Sequence, residues 1–170
     1  MTAPTSADEI LAETRRYEND VTMRPAGEGD LRAIIALLVD DPLGKTRERL
    51  EDPLPRSYVD AYRAMAVQGG NVYLVAERAE TVIGCVQVTF IAGISREGMT
   101  RANIEGVRIA STARGLGLGK IMMRDAIDRA REAGCGLVQL TTDARRIDAQ
   151  KFYTALGFQA SHVGMKLDLK

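Results

Sequence analysis

The chain has 170 residues, 45% of them hydrophobic, and sets 23 basic side chains against 23 acidic ones. That length and composition suit one compact domain with a sizeable core. The neutral balance excludes a general attraction to nucleic acid or to an anionic membrane, and no apolar run approaches the length of a membrane span.

Asp8, Glu9 and Glu13 precede any apolar stretch, so the N-terminus does not read as a signal peptide. Ser6-Ala7-Asp8-Glu9 is a capping box that opens a short helix expected to reach about Tyr17. Ile10, Leu11 and Thr14 give that helix a narrow apolar side, which packs on the domain, meets a second subunit or frays. Val21 to Arg24 is a strand ended by Pro25, and Asp30 is expected to cap a helix from Leu31 to Val39. Asp41 to Pro55 is a break with Pro42, Pro53 and Pro55, room for a helical turn over Arg47 to Leu50, and the charged run Lys45 to Asp52. Ser57 is expected to cap the next helix, to about Gln68, and Gly69-Gly70-Asn71 stops it. Val72 to Glu77 and Val82 to Ile91 form a hairpin, followed by a polar loop from Gly93 to Arg101.

Ile104-Glu105-Gly106-Val107-Arg108-Ile109 alternates apolar residues as a half-buried strand does. After it come Arg114-Gly115-Leu116-Gly117-Leu118-Gly119-Lys120 and a helix whose Leu118, Ile121, Met122, Ala126, Ile127 and Ala130 share one face. Gly134-Cys135-Gly136 ends that helix. Leu137 to Thr142 is then a buried strand, Ile147 to Leu156 a helix, and Phe158 onward a final strand pair turning near Val163-Gly164. Helices first, mostly antiparallel strands next and strand-helix-strand-helix-strand last make a mixed α/β, α+β-like fold. There is no internal repeat and no linker long enough to separate domains.

Strand, glycine-rich turn, helix is a phosphate-binding arrangement. Amides at a helix start lack intrahelical acceptors, sit at the positive end of the macrodipole, and here have no side chains in front of them. A nucleotide P-loop needs glycine where Arg114 stands and a hydroxyl where Ile121 stands. A dinucleotide fingerprint counted from Gly115 needs glycine at Lys120. Arg-x-x-Gly-x-Gly does fit, at Arg114, Gly117 and Gly119, and it resembles the acyl-CoA-binding signature of the GCN5-related N-acetyltransferase (GNAT) superfamily. Ala149, Phe152, Tyr153, Gly157 and Phe158 match that family's second motif, whose Asn is replaced here by Arg146.

The resemblance covers about Val21 to Lys170. It implies an acyl-CoA N-acyltransferase fold, a central splayed sheet flanked by helices, in a domain spanning 21–170 behind an N-terminal helical extension spanning 1–20. It also implies acetyl-CoA as acyl donor, held by Arg114, Gly115, Leu116, Gly117, Leu118, Gly119 and Lys120, with backbone of Val107, Arg108 and Ile109 pairing with the pantetheine arm. Arg146 either reaches a phosphate oxygen or points to solvent. Lys120, Arg124, Arg145 and Lys151 are further phosphate candidates, or solvated charges.

Acetyl transfer to an amine needs a deprotonated amine, a polarised carbonyl, a proton for the leaving thiolate and close positioning. By resemblance Tyr153 is the general acid, since a phenol is protonated at neutral pH; otherwise it packs in the core. Glu105 lies two residues before Val107, so both project to one face. It serves as base through a water if partial burial raises its pKa, or as a paired structural carboxylate. His162, on the expected last hairpin, flanks the acceptor groove or is a surface histidine. Thr141 and Thr142 touch substrate or only suit a strand. Cys85 and Cys135 have no adjacent base and read as reduced thiols of a cytoplasmic protein. One histidine and two distant cysteines make no metal site.

The resulting expectation is an acetyl-CoA-dependent N-acetyltransferase acting on a primary amine of a small molecule or peptide. Its groove would be lined by residues 40–55, residues 93–101 and the final hairpin. Asp40, Asp41, Glu48 and Glu51 could draw a cationic amine, blunted by Arg47, Arg49, Arg96 and Arg101. The alternative is a non-catalytic acyl-CoA-binding sensor or regulatory module. A homodimer is left open, and neither nucleic acid nor membrane is expected as a partner.

Overall fold

The computed structural model describes residues 6–41 and 44–169. Pro42 of the expected break and Lys170 at the expected domain end lie outside the described residues. Six strands form one sheet in chain order: β1 (Arg15–Arg16), β2 (Thr22–Pro25), β3 (Asn71–Arg78), β4 (Thr81–Ile91), β5 (Arg101–Ile109) and β6 (Leu137–Leu140). Neighbours are antiparallel up to β5, and β6 joins β5 in parallel. Helices α1 (Ala7–Ala12), α2 (Leu31–Val39), α3 (Arg56–Gln68), the single turn α4 (Ser95–Gly98), α5 (Leu118–Glu132) and α6 (Ile147–Ala155) complete it. This is the mixed, mostly antiparallel sheet with flanking helices expected from the sequence.

Strand alternation sorts side chains to two faces. Leu74, Val86, Val88 and Ile104 meet the α5 residues Leu118, Ile121, Met122 and Ala126 in the larger core. Val75 and Cys85 meet Ile34 and Leu37 of α2 on the other face. Burying each such Leu, Ile or Met contributes about 1.5–3 kcal/mol.

The N-terminal segment departs from expectation. The capping box is present, with Ser6 Oγ accepting from the Glu9 amide and Glu9 Oε2 accepting from the Ser6 amide. The helix, however, stops at Ala12, not Tyr17. Arg129 of α5, wholly buried, takes over the carbonyls that would end it. Its guanidinium donates to the carbonyls of Ile10, Leu11 and Glu13 and to Asp125 Oδ2 at 2.7 Å. Tyr17 Oη donates to Asp125 Oδ1 at 2.8 Å. The chain therefore turns extended at Glu13 and enters β1, which pairs with β2.

Other boundaries move for local reasons. Asp30 does not cap α2; its carboxylate accepts from the Gly27 amide and binds the Arg24 guanidinium. Pro55, not Ser57, stands at the cap of α3, whose first turn contains Ser57. The turn expected over 47–50 lies earlier, where the amides of Arg47 and Glu48 reach the Gly44 carbonyl. Among the described residues no strand follows Leu140, so the expected final strand pair is absent. Residues 159–169 are exposed, with Val163, Met165, Leu167 and Leu169 at 83–92%.

Candidate active site

The parallel pairing of β5 and β6 runs from Arg101 opposite Leu137 to Ile104 opposite Leu140 and then ends. β5 continues to Ile109 while β6 stops, so the sheet splays open along Glu105 to Ile109. Gly106, at φ 60, sits opposite the irregular register between Cys85 and Gln87. An added Cβ there would lie 2.7 Å from Tyr73 Oη, so glycine is required twice over. The bulge also ends simple alternation, so the argument that put Glu105 and Val107 on one face does not carry across it.

Beyond the splay, Ser111–Ala113 makes a 3-10 turn and Arg114 leads into the glycine turn. Gly115 and Gly117 hold φ of 79 and 81, and nothing lies within 4 Å of a Cβ built on either. Gly117 caps α5 and its carbonyl accepts from the Lys120 and Ile121 amides, so the amides ahead of Lys120 precede the helical ladder. Gly119 is different: a Cβ would meet Ile109 and Phe152 at 3.2 Å. The first sequence motif thus packs directly on the second. The open turn, the helix dipole and the adjacent unpaired strand fit a diphosphate with an extended arm.

Around this cradle the arginines are already engaged. Arg114 donates to the Ile109 carbonyl at 3.2 Å and pairs with Asp40 at 2.8 Å, and Asp40 also accepts from the Ser111 amide. Arg108 donates to the Val107 carbonyl at 2.8 Å and lies 3.8 Å from Asp41. Arg146 contacts Asp41, so it neither points to solvent nor stands free for a phosphate. Asp40 and Asp41 are consequently not free charges for drawing an amine. Arg124 pairs with Glu18, Arg145 with Asp143 and Lys151 with Asp148, while Lys120 and Leu116 are exposed. Sequence reasoning missed the Asp40–Asp41 corner because its three arginine partners come from distant segments.

Tyr153 is half-buried on α6, edge-on to Phe152 (5.3 Å) and Phe158 (6.0 Å). Burial pushes its phenol upward, while the charges of Arg108 and Arg146 pull it down. The phenol is therefore protonated at neutral pH, as a proton donor must be. Glu105 is exposed, opposite Gln87, and so lacks the partial burial expected of it. His162 is exposed, off any strand, with Nδ1 2.8 Å from Ser161 Oγ. Burial drives the Cys85 thiol up to about 12, which makes it inert. Among the described residues no group of acidic, histidine or cysteine side chains could hold a metal ion, and no helix is long and apolar enough to cross a membrane.

Residues 32–158 match the Acetyltransferase (GNAT) family. The chain belongs to that family. A solved structure from Bacillus halodurans C-125, described as a transcriptional regulator, is 49% identical with a TM-score of 0.85, over 88% of this chain and 99% of that one. A Trypanosoma brucei acetyltransferase structure is 28% identical with a TM-score of 0.71, over 88% of this chain and all of the other. The glucosamine 6-phosphate N-acetyltransferase of Trypanosoma brucei brucei is 32% identical over 88 residues, 52% of this chain and 58% of that enzyme. The similarity thus spans little more than half the length of that curated relative.

Proposed function

We propose that this chain transfers an acetyl group from acetyl-CoA directly to the primary amine of a small molecule. The observation that carries this reading is the open glycine turn at the start of α5, whose Gly119 packs against Ile109, on β5 beyond its pairing with β6, and against Phe152, the ring neighbour of Tyr153. Acetyl-CoA, when bound, supplies the acetyl group as an activated thioester. Amides of Gly115, Leu116, Gly117, Leu118 and Gly119 hold the diphosphate, and the unpaired edge of Val107, Arg108 and Ile109 lines the pantetheine arm. The carbonyls of Val107 and Ile109 each already accept one arginine hydrogen bond, from Arg108 and Arg114, and keep a second lone pair for the pantetheine arm. Tyr153 donates its phenolic proton to the departing sulfur. Glu105 takes the amine proton through a water, without the partial burial first expected of it. The glucosamine 6-phosphate enzyme among the relatives supports a small-molecule acceptor over a peptide. Free thiols at Cys85 and Cys135 support a cytoplasmic setting.

A second reading, a non-catalytic acyl-CoA sensor, is favoured by one observation: the 49% identical Bacillus protein is described as a transcriptional regulator. A panel of small amines and lysyl peptides, followed by free-thiol release from acetyl-CoA, separates the two. The enzyme reading predicts amine-dependent thiol release that Glu105→Gln alters on the acidic limb of the pH–rate profile. Cofactor binding without amine-dependent release would establish the sensor.

A further inference from the structure

The sheet face opposite α5 changes character along its length. Where α2 covers it, Val75 and Cys85 are apolar. Towards the other end it becomes a ladder of uncharged polar side chains. Asn71 stands opposite Thr89, Thr89 opposite Asn103 and Asn103 opposite Gln139, one row across four strands. In the next row Gln87 stands opposite Glu105, beside the Gly106 bulge. The Asn103–Gln139 pair is the penultimate one before the sheet splays, so the ladder leads to the mouth of the open slot.

These groups are organised among themselves. Asn71 Oδ1 accepts from Gln87 Nε2 at 2.9 Å and from Thr89 Oγ1 at 3.0 Å. Asn71 Nδ2 donates to Gln68 Oε1 at 2.8 Å, and Gln139 Nε2 donates to Asn103 Oδ1 at 3.3 Å. These bonds fix the amides and leave part of their capacity unused. Among the described residues Gln87 Oε1, Asn103 Nδ2, Gln139 Oε1 and the Glu105 carboxylate have no side-chain partner. Gln87, Asn103 and Gln139 are half-buried and Glu105 is exposed, and none of these atoms is among the fully buried polar atoms lacking a hydrogen bond, so each keeps some contact with solvent. A face turned only to water has no need of amides held by other amides, with Thr89 just 8% exposed.

We propose that this ladder is the acceptor floor of the acetyltransferase, and that it selects a compact amine bearing several hydroxyl groups, such as an amino sugar. This rests on the proposed activity. Fixed neutral amides offer acceptors at Gln87 and Gln139 and a donor at Asn103. That mixture pairs with hydroxyls, which donate and accept at once. Glu105, at the end of the ladder nearest the bulge, faces the amine across the bridging water. An alkylamine leaves the same amides unpaired in a desolvated site, which is how such sites reject analogues lacking hydroxyls.

The test measures kcat/KM for glucosamine and for cyclohexylamine in the wild type, Asn103→Val and Gln87→Met, with acetyl-CoA affinity followed by calorimetry on each protein. Wild type is expected to favour glucosamine by about a hundredfold or more. Each variant should lower the glucosamine-to-cyclohexylamine ratio about tenfold, mainly through KM, while still binding acetyl-CoA. A wild type that binds acetyl-CoA yet uses cyclohexylamine or a lysyl peptide as well as glucosamine overturns the proposal, as does an unchanged ratio in both variants. Should the variants fail to fold, the wild-type preference alone decides. Absence of any acetyl-CoA binding defeats the proposed activity itself, a different outcome from the loss of acceptor preference.

Discussion

Tyr153 meets the requirements of a proton donor through two opposed effects. Burial among Phe152 and Phe158 keeps the phenol protonated, and two guanidinium charges limit how far it rises. Tyr153→Phe keeps the ring packing and removes the hydroxyl that carries the proton. Turnover should therefore fall about a hundredfold with little change in acetyl-CoA affinity; equal losses in both, or in neither, would count against the role. Asp30 offers a residue-scale test of stability. The Arg24 guanidinium holds its carboxyl below the usual range, against a smaller opposing effect of burial. A carboxyl depressed on folding adds stability above its unfolded pKa of about 3.9, and that stability is lost as pH falls through the lower folded value. Asp30→Asn should thus be less stable than wild type at pH 7, with the gap closing below about pH 4. Denaturant unfolding at both pH values checks this, and a gap independent of pH would contradict it.

At the scale of elements, the bolt between α1 and α5 makes the sharpest prediction. Arg129→Met leaves the Asp125 carboxylate buried without its cation and the carbonyls of Ile10, Leu11 and Glu13 without their donor. Breaking a buried pair from one side costs about 3–5 kcal/mol. Urea unfolding should show a loss of that size, and a loss under about 1 kcal/mol would mean the bolt contributes little.

Which elements were legible follows from the range of the forces that set them. α5 and its glycine turn could be read because periodicity, capping and positive-φ glycines are local. The hairpin of β3 and β4 could be read for the same reason, and its turn residues Ala79 and Glu80 both take positive φ. α1 ended five residues early because Arg129, more than a hundred residues away, captures its carbonyls. The Arg146 partner was out of reach for a similar reason, since Asp41 is its neighbour only in space. The strand pair expected from Phe158 onward, turning near Val163-Gly164, did not form among the described residues, since no pairing partner follows from local sequence alone.

On the scale of the whole molecule, that tail stands exposed near a sheet edge. Among the described residues β6 pairs only with β5, and Gly164 approaches Thr141, just past the end of β6. An exposed apolar segment beside an open sheet edge is a template for self-association. Light scattering should show concentration-dependent dimers that disappear when the chain is ended at residue 160; a monomer at every concentration would contradict this.

The cradle itself is tested most directly by titrating acetyl-CoA into the folded chain in a calorimeter. Saturable heat is predicted, with one site per chain, weakened at least tenfold by Gly117→Val, whose side chain would enter the open space before the α5 amides. No heat with the wild type, or undiminished affinity in the variant, would contradict a coenzyme held by that turn.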